Sequence, residues 1–275
     1  MQVDMLPDMS TPLAIERVGT VALVTMQRPE VRNAMNARML RALLAELRAL
    51  AGDDSVNVLV VTGAGAAFSG GADLSEELDE DAGRMRTSLF CDLFELVTTY
   101  PKPAVAAVAG ACVGGGAELA AACDLRVGTP SARIRFPGAS LGAPVGAARL
   151  PLLVGLSHAK DLLLTARTID AEEAYRIGFL NRLVAEDELL DGAVALAESI
   201  AANGGAEMQK RALEETSILQ ERVWEESRRM RRSRAGANVP GGGSGSGKRG
   251  SRKVSNRQKR RLGPQGEARP KTPLL

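Results

Sequence analysis

AGACVGGGAELAAACD, residues 109–124, joins an apolar run to a helix-forming stretch through three consecutive glycines. Glycine lets a backbone N–H approach a ligand closely, and the start of a helix leaves its N–H groups unpaired with a partial positive charge. Glu118 follows the middle glycine, Gly115, by three residues. The segment indicates a site where main-chain donors stabilise an oxyanion beside an acid or base. A tight strand-to-helix turn with a solvated glutamate would give the same pattern.

A second loop of the same character precedes this one in the chain. The apolar run VLVVTG (58–63) leads to FSGGADL (68–74), just as the apolar run AVAAVAG (104–110) leads to GGGAEL (114–119). Open α/β folds bind their ligands at the C-terminal ends of the strands. We therefore expect the two glycine loops to converge on one ligand oxygen.

Strand and helix patterns alternate along the first part of the chain, which favours an α/β domain. After about residue 145 the pattern is mostly helical, and residues 64–74 are predicted to form a loop. The predicted strands are two within 13–26 that are separated by a turn at Gly19, then 57–63, 104–109 and 125–128. The predicted helices are 36–52 (with Asn36 as N-cap), 75–100, 115–124, 145–154, 157–166, 170–177, 188–203 and 206–232.

The composition excludes several classes of protein. Of the 275 residues, 45% are hydrophobic, which suffices for a sizeable core. No stretch approaches the roughly 20 apolar residues of a membrane span, and the first ten residues lack the apolar segment of a secretory signal. Three cysteines without metal-ligand spacing predict core residues of a reduced, cytoplasmic protein. The single histidine, His158, excludes a multi-histidine metal site.

Residues 235–275 differ in character from the rest of the chain. They are rich in Gly and Ser and then basic, with ten Lys or Arg and one acidic residue, Glu267. Residues 1–234 hold 25 basic and 32 acidic residues, a net charge of −7. Having few large apolar residues, the tail is predicted to be disordered. Its charge would suit nucleic acid, but no aromatic residue is present to stack on a base, so we favour a flexible extension.

Two other glycine motifs are weaker candidates for a site. GAG at residues 63–65 begins like a dinucleotide fingerprint, but Phe68 occupies the place of the third glycine. GASLG at residues 138–142 matches the nucleophile elbow of serine hydrolases, but no acid lies between Ser140 and the only histidine. We therefore reject both motifs, and we expect His158 to be a surface or capping residue of a helix.

Four longer segments carry a resemblance to a known family. They are RPEVRNAMN (28–36), VLVVTGAGAAFSGGADL (58–74), PKPAVAAVAGACVGGGAELAAACDLRVG (101–128) and LLLTARTIDAEEAYRIGFLNRLV (162–184). With these segments in this order, the chain from about residue 13 to about residue 232 resembles the crotonase superfamily, also called the enoyl-CoA hydratase/isomerase family.

The resemblance implies an α/β fold in which ββα turns form a spiral core, followed by C-terminal helices that build a homotrimer or a hexamer of two trimers. The implied divisions are a spiral core at 1–185, a C-terminal helical trimerisation region at 186–234 and the disordered basic tail at 235–275. Members of the family usually finish in a helix near the acyl pocket, whereas here the predicted helix 206–232 gives way to the tail.

The resemblance also implies a site and a substrate. The substrate would be an acyl-CoA thioester, with coenzyme A entering only as part of the substrate, and neither a separate cofactor nor a metal is expected. The amides of Ala72 and Gly115 would form the oxyanion hole, and Glu118 would be the general acid/base. Asp73 would order its loop without reacting. The implied substrate- and CoA-binding residues are Glu30, Val31, Arg32, Gly70, Asp73 and Leu74.

The chain departs from the family at the second hydratase glutamate. Gly138, directly after Pro137, occupies its expected position, and the Pro-Gly-x-Gly-Gly stretch that usually follows is the shorter APVGAARL (143–150). Glu76 and Glu77 are expected on the solvated surface. Enoyl-CoA hydration remains the principal expectation. Enoyl-CoA isomerisation, acyl-CoA hydrolysis and non-catalytic binding of an acyl-CoA or a partner are the alternatives.

Overall fold

A computed structural model describes residues 12–215 and 229–230 of the chain. The chain divides into two units, Met1–Pro240 and Gly241–Leu275, and all of the described residues belong to the first. The tail predicted at 235–275 lies outside the described residues, as does most of the predicted helix 206–232 beyond residue 215. The division at residue 185 stays a prediction.

Six strands form the first sheet. In spatial order they are β1 (Leu13–Val18), β2 (Val21–Met26), β3 (Val58–Gly63), β5 (Ala104–Val108), β7 (Leu125–Gly128) and β10 (Arg182–Leu183). β1 and β2 pair antiparallel across the turn at Gly19, and all other neighbours pair parallel. β3 and β5 are almost wholly buried, which explains their unbroken apolar runs, because a strand covered on both faces needs no polar alternation.

A second sheet is formed by four short strands. In spatial order they are β4 (Ala67–Ser69), β6 (Ala111–Val113), β8 (Arg133–Arg135) and β9 (Thr168–Ile169). β4, β6 and β8 pair parallel, and β9 pairs antiparallel with β8. Each of the three parallel strands closely follows a strand of the first sheet and precedes a helix. This repeated strand–strand–helix unit is the ββα turn expected for a spiral core.

Helices cover both faces of the first sheet. The helices of the described residues are α1 (Ala37–Ala51), α2 (Glu80–Thr98), α3 (Gly115–Ala122), α4 (Gly138–Leu141), α5 (Leu150–Thr165), α6 (Ala171–Arg176), α7 (Leu189–Ala201) and α8 (Ala206–Glu215). Val60 and Val105 are cross-strand partners that pack in one cluster with α7. The next pair, Val61 and Ala106, packs in the other cluster with α1, α2 and α3, as the alternation of side chains along a strand requires.

Several element boundaries differ from the sequence predictions. The loop predicted at 64–74 contains β4, a strand too short to leave a periodic pattern. α2 begins at Glu80 rather than at 75, because the Asp79 side chain caps it by accepting a hydrogen bond from the Ala82 amide. α5 begins at Leu150 rather than at 145, and it bends at Gly155, where φ is +74°, between the two helices predicted there.

A buried arginine secures the C-terminal end of α3. Arg126 donates hydrogen bonds from Nη1 to the carbonyl oxygens of Cys123 (2.8 Å) and Ala120 (3.4 Å), and it is 2% exposed. A cation is favourable at this end of a helix because the last carbonyl groups lack partners and carry partial negative charge. Arg126 thereby stabilises the C-terminal end of α3.

The helices of residues 12–215 and 229–230 include none whose length and apolar character would let it cross a bilayer.

Candidate active site

The two glycine loops meet because the strands before them are neighbours in the second sheet. β4 and β6 pair in parallel, so the loops that follow them leave from the same edge. A Cβ atom at Gly71 would lie 2.5 Å from the Val113 carbonyl oxygen and 3.0 Å from the Gly115 nitrogen. Only glycine permits this approach. The φ of +89° at Gly71 is also one that glycine adopts more readily than other residues.

Ala72 and Gly115 present their amides at this junction. The backbone of Met35 forms a parallel β-bridge with Ala72. The Met35 amide donates to the Gly71 carbonyl (2.7 Å), and the Met35 carbonyl accepts from the Asp73 amide (3.1 Å). This bridge turns the N–H of Ala72 away from Met35. Gly115 is the first residue of α3, where the N–H has no partner within the helix. Among the described residues, neither amide nitrogen has a hydrogen-bond partner, and two such donors suit an oxyanion.

Asn33 anchors the first loop, although it was not among the predicted site residues. Its wholly buried side chain donates to the carbonyl oxygens of Ala64 (2.9 Å) and Ala67 (2.7 Å) and accepts from the Arg28 amide (2.9 Å). Its φ of +53° lies in the left-handed region, which asparagine tolerates better than most residues. The one signal in the sequence is an asparagine at the end of a short Pro-initiated turn.

Asp73 directly follows Ala72, and its carboxylate is hydrogen-bonded within the first glycine loop and to Arg28. Its buried carboxylate accepts from Arg28 Nη1 (2.9 Å), the Ser75 hydroxyl (2.6 Å) and the Ser75 amide (3.1 Å). Burial opposes ionisation, but the hydrogen bonds from Ser75 and Arg28 outweigh it and hold the pKa of Asp73 below its ordinary value of 3.8. These contacts support a role in ordering the loop.

We expect Asp73→Asn to lower the free energy of unfolding by about 2 kcal/mol at neutral pH, because the hydrogen bonds to a charged group are lost. A carboxyl group whose pKa is depressed by folding contributes stability above its unfolded pKa and loses it as the pH falls through the folded pKa. The difference in Tm between wild type and variant, measured by calorimetry, is therefore expected to be full at neutral pH and to shrink below about pH 4.

Asp81→Asn is the matched control, because the Asp81 side chain is 95% exposed and a surface ion pair contributes little. It is expected to leave Tm unchanged at every pH. A Tm difference for Asp73→Asn that stays constant down to about pH 2 would contradict the role of the charge.

The residues predicted to bind CoA lie beside the junction. Glu30, Val31 and Arg32 form an exposed turn. The Arg32 carbonyl accepts from the Gly70 amide at 2.8 Å, which links this turn to the first glycine loop. Leu74 is 77% exposed, an open apolar side chain next to the proposed oxyanion hole. The structure therefore places the turn at residues 30–32 next to the first glycine loop.

Glu118 lies in the first turn of α3 with only 1% of its surface exposed. Its Oε1 lies 3.4 Å from Nη1 of Arg149, which is also buried. Arg149 directly precedes α5 and was not among the predicted site residues. The only signal in the sequence was a single basic residue within the otherwise apolar APVGAARL. The acid thus lies buried beside a cation from a distant part of the chain.

Gly138 has no room for a side chain. A Cβ atom there would lie 2.3 Å from the Ala143 carbonyl oxygen and 2.9 Å from the Val145 nitrogen. The backbone of the short segment after α4 occupies the space in which a side chain would begin. The conformation of this turn therefore leaves no space for a carboxylate side chain at position 138.

The remaining candidates are distributed as follows. The prediction of a solvated surface position is wrong for Glu76, which accepts from the Ala37 amide at the start of α1 (3.2 Å) and pairs with Arg86 (3.0 Å). Glu77 is exposed, as predicted. Ser140 is also exposed, and His158 is exposed on α5, as predicted for a surface residue of a helix.

A cavity of about 850 Å³ lies between the C-terminal half of α3, the start of α5, the end of α7 and α8. Arg149 is among the residues that line it, whereas Ala72 and Gly115 are not. This cavity is therefore separate from the junction of the glycine loops.

Known proteins with similar sequences and structures place the chain in a family. A sequence model described as "Enoyl-CoA hydratase/isomerase" matches residues 16–231. A "Probable enoyl-CoA hydratase" of Rhizobium meliloti is 40% identical over 192 residues, which are 69% of this chain and 75% of that protein. A "Short-chain-enoyl-CoA hydratase" of Clostridium acetobutylicum is 38% identical over 195 residues, 69% of this chain and 75% of that protein.

A crystal structure of an enoyl-CoA hydratase/isomerase from Xanthobacter autotrophicus Py2 is similar with a TM-score of 0.75 and 33% identity, covering 83% of this chain and 89% of that chain. The sequence match and the fold thus agree, and the chain belongs to the enoyl-CoA hydratase/isomerase family of the crotonase superfamily.

Proposed function

We propose that this protein is an enoyl-CoA hydratase that adds water reversibly to a 2-enoyl-CoA. The proposal rests on the junction at which Gly71 approaches Gly115. The amides of Ala72 and Gly115 have no hydrogen-bond partner among the described residues, and the buried Glu118 lies one helical turn beyond Gly115. Family membership supports it, because the relatives named above are described as hydratases.

The proposed chemistry follows from where charge develops. As the water oxygen bonds to C3 of the enoyl group, the electron pair of the double bond moves through C2 onto the thioester oxygen. Two main-chain donors stabilise this enolate, and by analogy with other oxyanion holes each is worth about 3–4 kcal/mol. Glu118 accepts the proton that the water loses and returns a proton to C2, which regenerates the carbonyl. With position 138 closed to a side chain, Glu118 performs both transfers.

The CoA portion of the substrate is proposed to lie along the exposed turn at Glu30, Val31 and Arg32 and past Gly70 and Leu74. No separate cofactor is required for this chemistry. Assembly as a homotrimer or a hexamer and a cytoplasmic location stay predictions.

Isomerisation is the second candidate, and the blocked position at Gly138 favours it. Moving a double bond from C3 to C2 needs one base only, which removes a proton from C2 and delivers it to C4 while the same amides hold the dienolate. A site with one carboxylate therefore has the single base that isomerisation requires.

The test is to incubate the protein with crotonyl-CoA, a 3-enoyl-CoA and a saturated acyl-CoA and to follow the products by mass spectrometry. We expect crotonyl-CoA to gain one water. Conversion of the 3-enoyl-CoA without hydration of crotonyl-CoA would favour the isomerase, and release of free CoA would indicate a hydrolase. Saturable binding without turnover of any of them would contradict an enzymatic function.

We expect Gly138→Glu to fail to raise the hydration rate, because the first side-chain atom would clash with the Ala143 carbonyl. Overpacking of this kind costs about 1–3 kcal/mol. Gly138→Ala is the matched control, since it adds the same clash without the carboxylate, and we expect the two variants to lose a similar amount of Tm. A several-fold gain in hydration by Gly138→Glu with an unchanged Tm would contradict the steric argument.

A further inference from the structure

We propose that Arg149 is the positioning residue for Glu118: its guanidinium fixes the orientation of the carboxylate and balances its charge in the absence of a second glutamate. This inference rests on the proposed function, because it concerns the proton transfers assigned to Glu118.

The guanidinium of Arg149 also donates hydrogen bonds to α2. Nε donates to the Thr98 hydroxyl at 2.7 Å, and Nη2 donates to the Phe94 carbonyl at 2.9 Å. The guanidinium carbon also lies 5.8 Å from the centre of the Phe94 ring, within the range of a cation–π contact. Because the fork of an arginine is planar and rigid, these contacts leave the third nitrogen, Nη1, aimed at Glu118.

The charges explain why such a partner is needed. The side chains of Arg149 and Glu118 are 4% and 1% exposed, so little water reaches either of them. A buried carboxylate without a partner is costly, and removing one member of a buried ion pair leaves the other uncompensated. The guanidinium held by α2 pairs with the Glu118 carboxylate and keeps it in one place before the substrate arrives.

Arg126 supplies a matched control. It is equally buried and also bonded to α3, but it binds the carbonyl groups at the opposite end of the helix. A role limited to holding α3 in place would make the two arginines equivalent. A role in positioning the carboxylate would separate them in kinetic measurements.

The experiment compares Arg149→Lys, Arg149→Met and Arg126→Lys in the full chain, with kcat, KM and Tm measured for each. We expect Arg149→Met to lower kcat about 100-fold, as misplacement of a reacting group does, with KM little changed. Arg149→Lys is expected to recover about tenfold of the loss, whereas Arg126→Lys lowers Tm and changes kcat little.

Thr98→Val keeps the protein testable if Arg149→Met does not fold. It removes one tether of the guanidinium and leaves the charge, and we expect an intermediate loss in kcat. An active wild type whose Arg149 and Arg126 variants lose kcat equally, with no recovery of kcat in Arg149→Lys, would overturn the inference alone. A wild type that turns over neither crotonyl-CoA nor a 3-enoyl-CoA would overturn the proposed function and the inference with it.

Discussion

Glu118→Gln is expected to lower kcat for the hydration of crotonyl-CoA by about 1,000-fold or more and to change KM little. General acid–base catalysis contributes about 100- to 10,000-fold, and the upper part of this range applies because one side chain makes both proton transfers. Glutamine keeps the shape of the side chain but neither accepts nor delivers the proton. Steady-state kinetics with purified protein measure the effect, and thermal unfolding shows whether the variant is folded.

Glu77→Gln is the matched control for this prediction. Glu77 follows the first glycine loop and is exposed, and it is expected to be replaceable with full activity. If Glu118→Gln kept more than about a tenth of the wild-type rate, its loss would fall below the range of general acid–base catalysis. The proton transfers would then have to be assigned elsewhere.

Gly71→Ala is expected to lower kcat by about 100- to 1,000-fold, the range seen when one donor of an oxyanion hole is removed. The added Cβ atom would lie 2.5 Å from the Val113 carbonyl oxygen and 3.0 Å from the Gly115 nitrogen. Since the backbone cannot tolerate these distances, the two loops must move apart, and the amides of Ala72 and Gly115 separate. Alanine also strains the backbone at a φ of +89°.

Gly52→Ala is the control for the glycine substitution. Gly52 caps α1, its φ is −89°, and a Cβ atom there would approach the Ala49 carbonyl oxygen no closer than 3.9 Å. This variant is expected to keep full activity. A Gly71→Ala protein that is folded and fully active would show that the close meeting of the two loops is not needed for turnover.

The sequence predicted the local features of the site because these depend on residues that are close together in the chain. α1 and its Asn36 cap, for example, follow from helical spacing and a side chain that accepts from the Met39 amide three residues away. The two glycine loops were likewise visible from their spacing after apolar strands. Their convergence was expected from the apolar strands β3 and β5, but the strands that bring the loops together are β4 and β6. These two strands are only three residues long each and leave no periodic signal.

The long-range contacts of the site residues could not be predicted from the sequence. Arg149 reaches Glu118 across 31 positions, and nothing local distinguishes it from a solvated arginine. Gly138 shows a similar limit: the missing glutamate was evident from the sequence, but the carbonyl of Ala143 that closes the position was not. Both depend on how the segment between α4 and α5 packs against its neighbours.

A crystal structure of the protein with a bound saturated acyl-CoA tests the oxyanion hole most directly, because such a thioester binds without being hydrated. We expect its carbonyl oxygen to lie about 2.7–3.1 Å from the amide nitrogens of both Ala72 and Gly115. A thioester oxygen bound away from these two amides, or touching only one of them, would contradict the proposed active site.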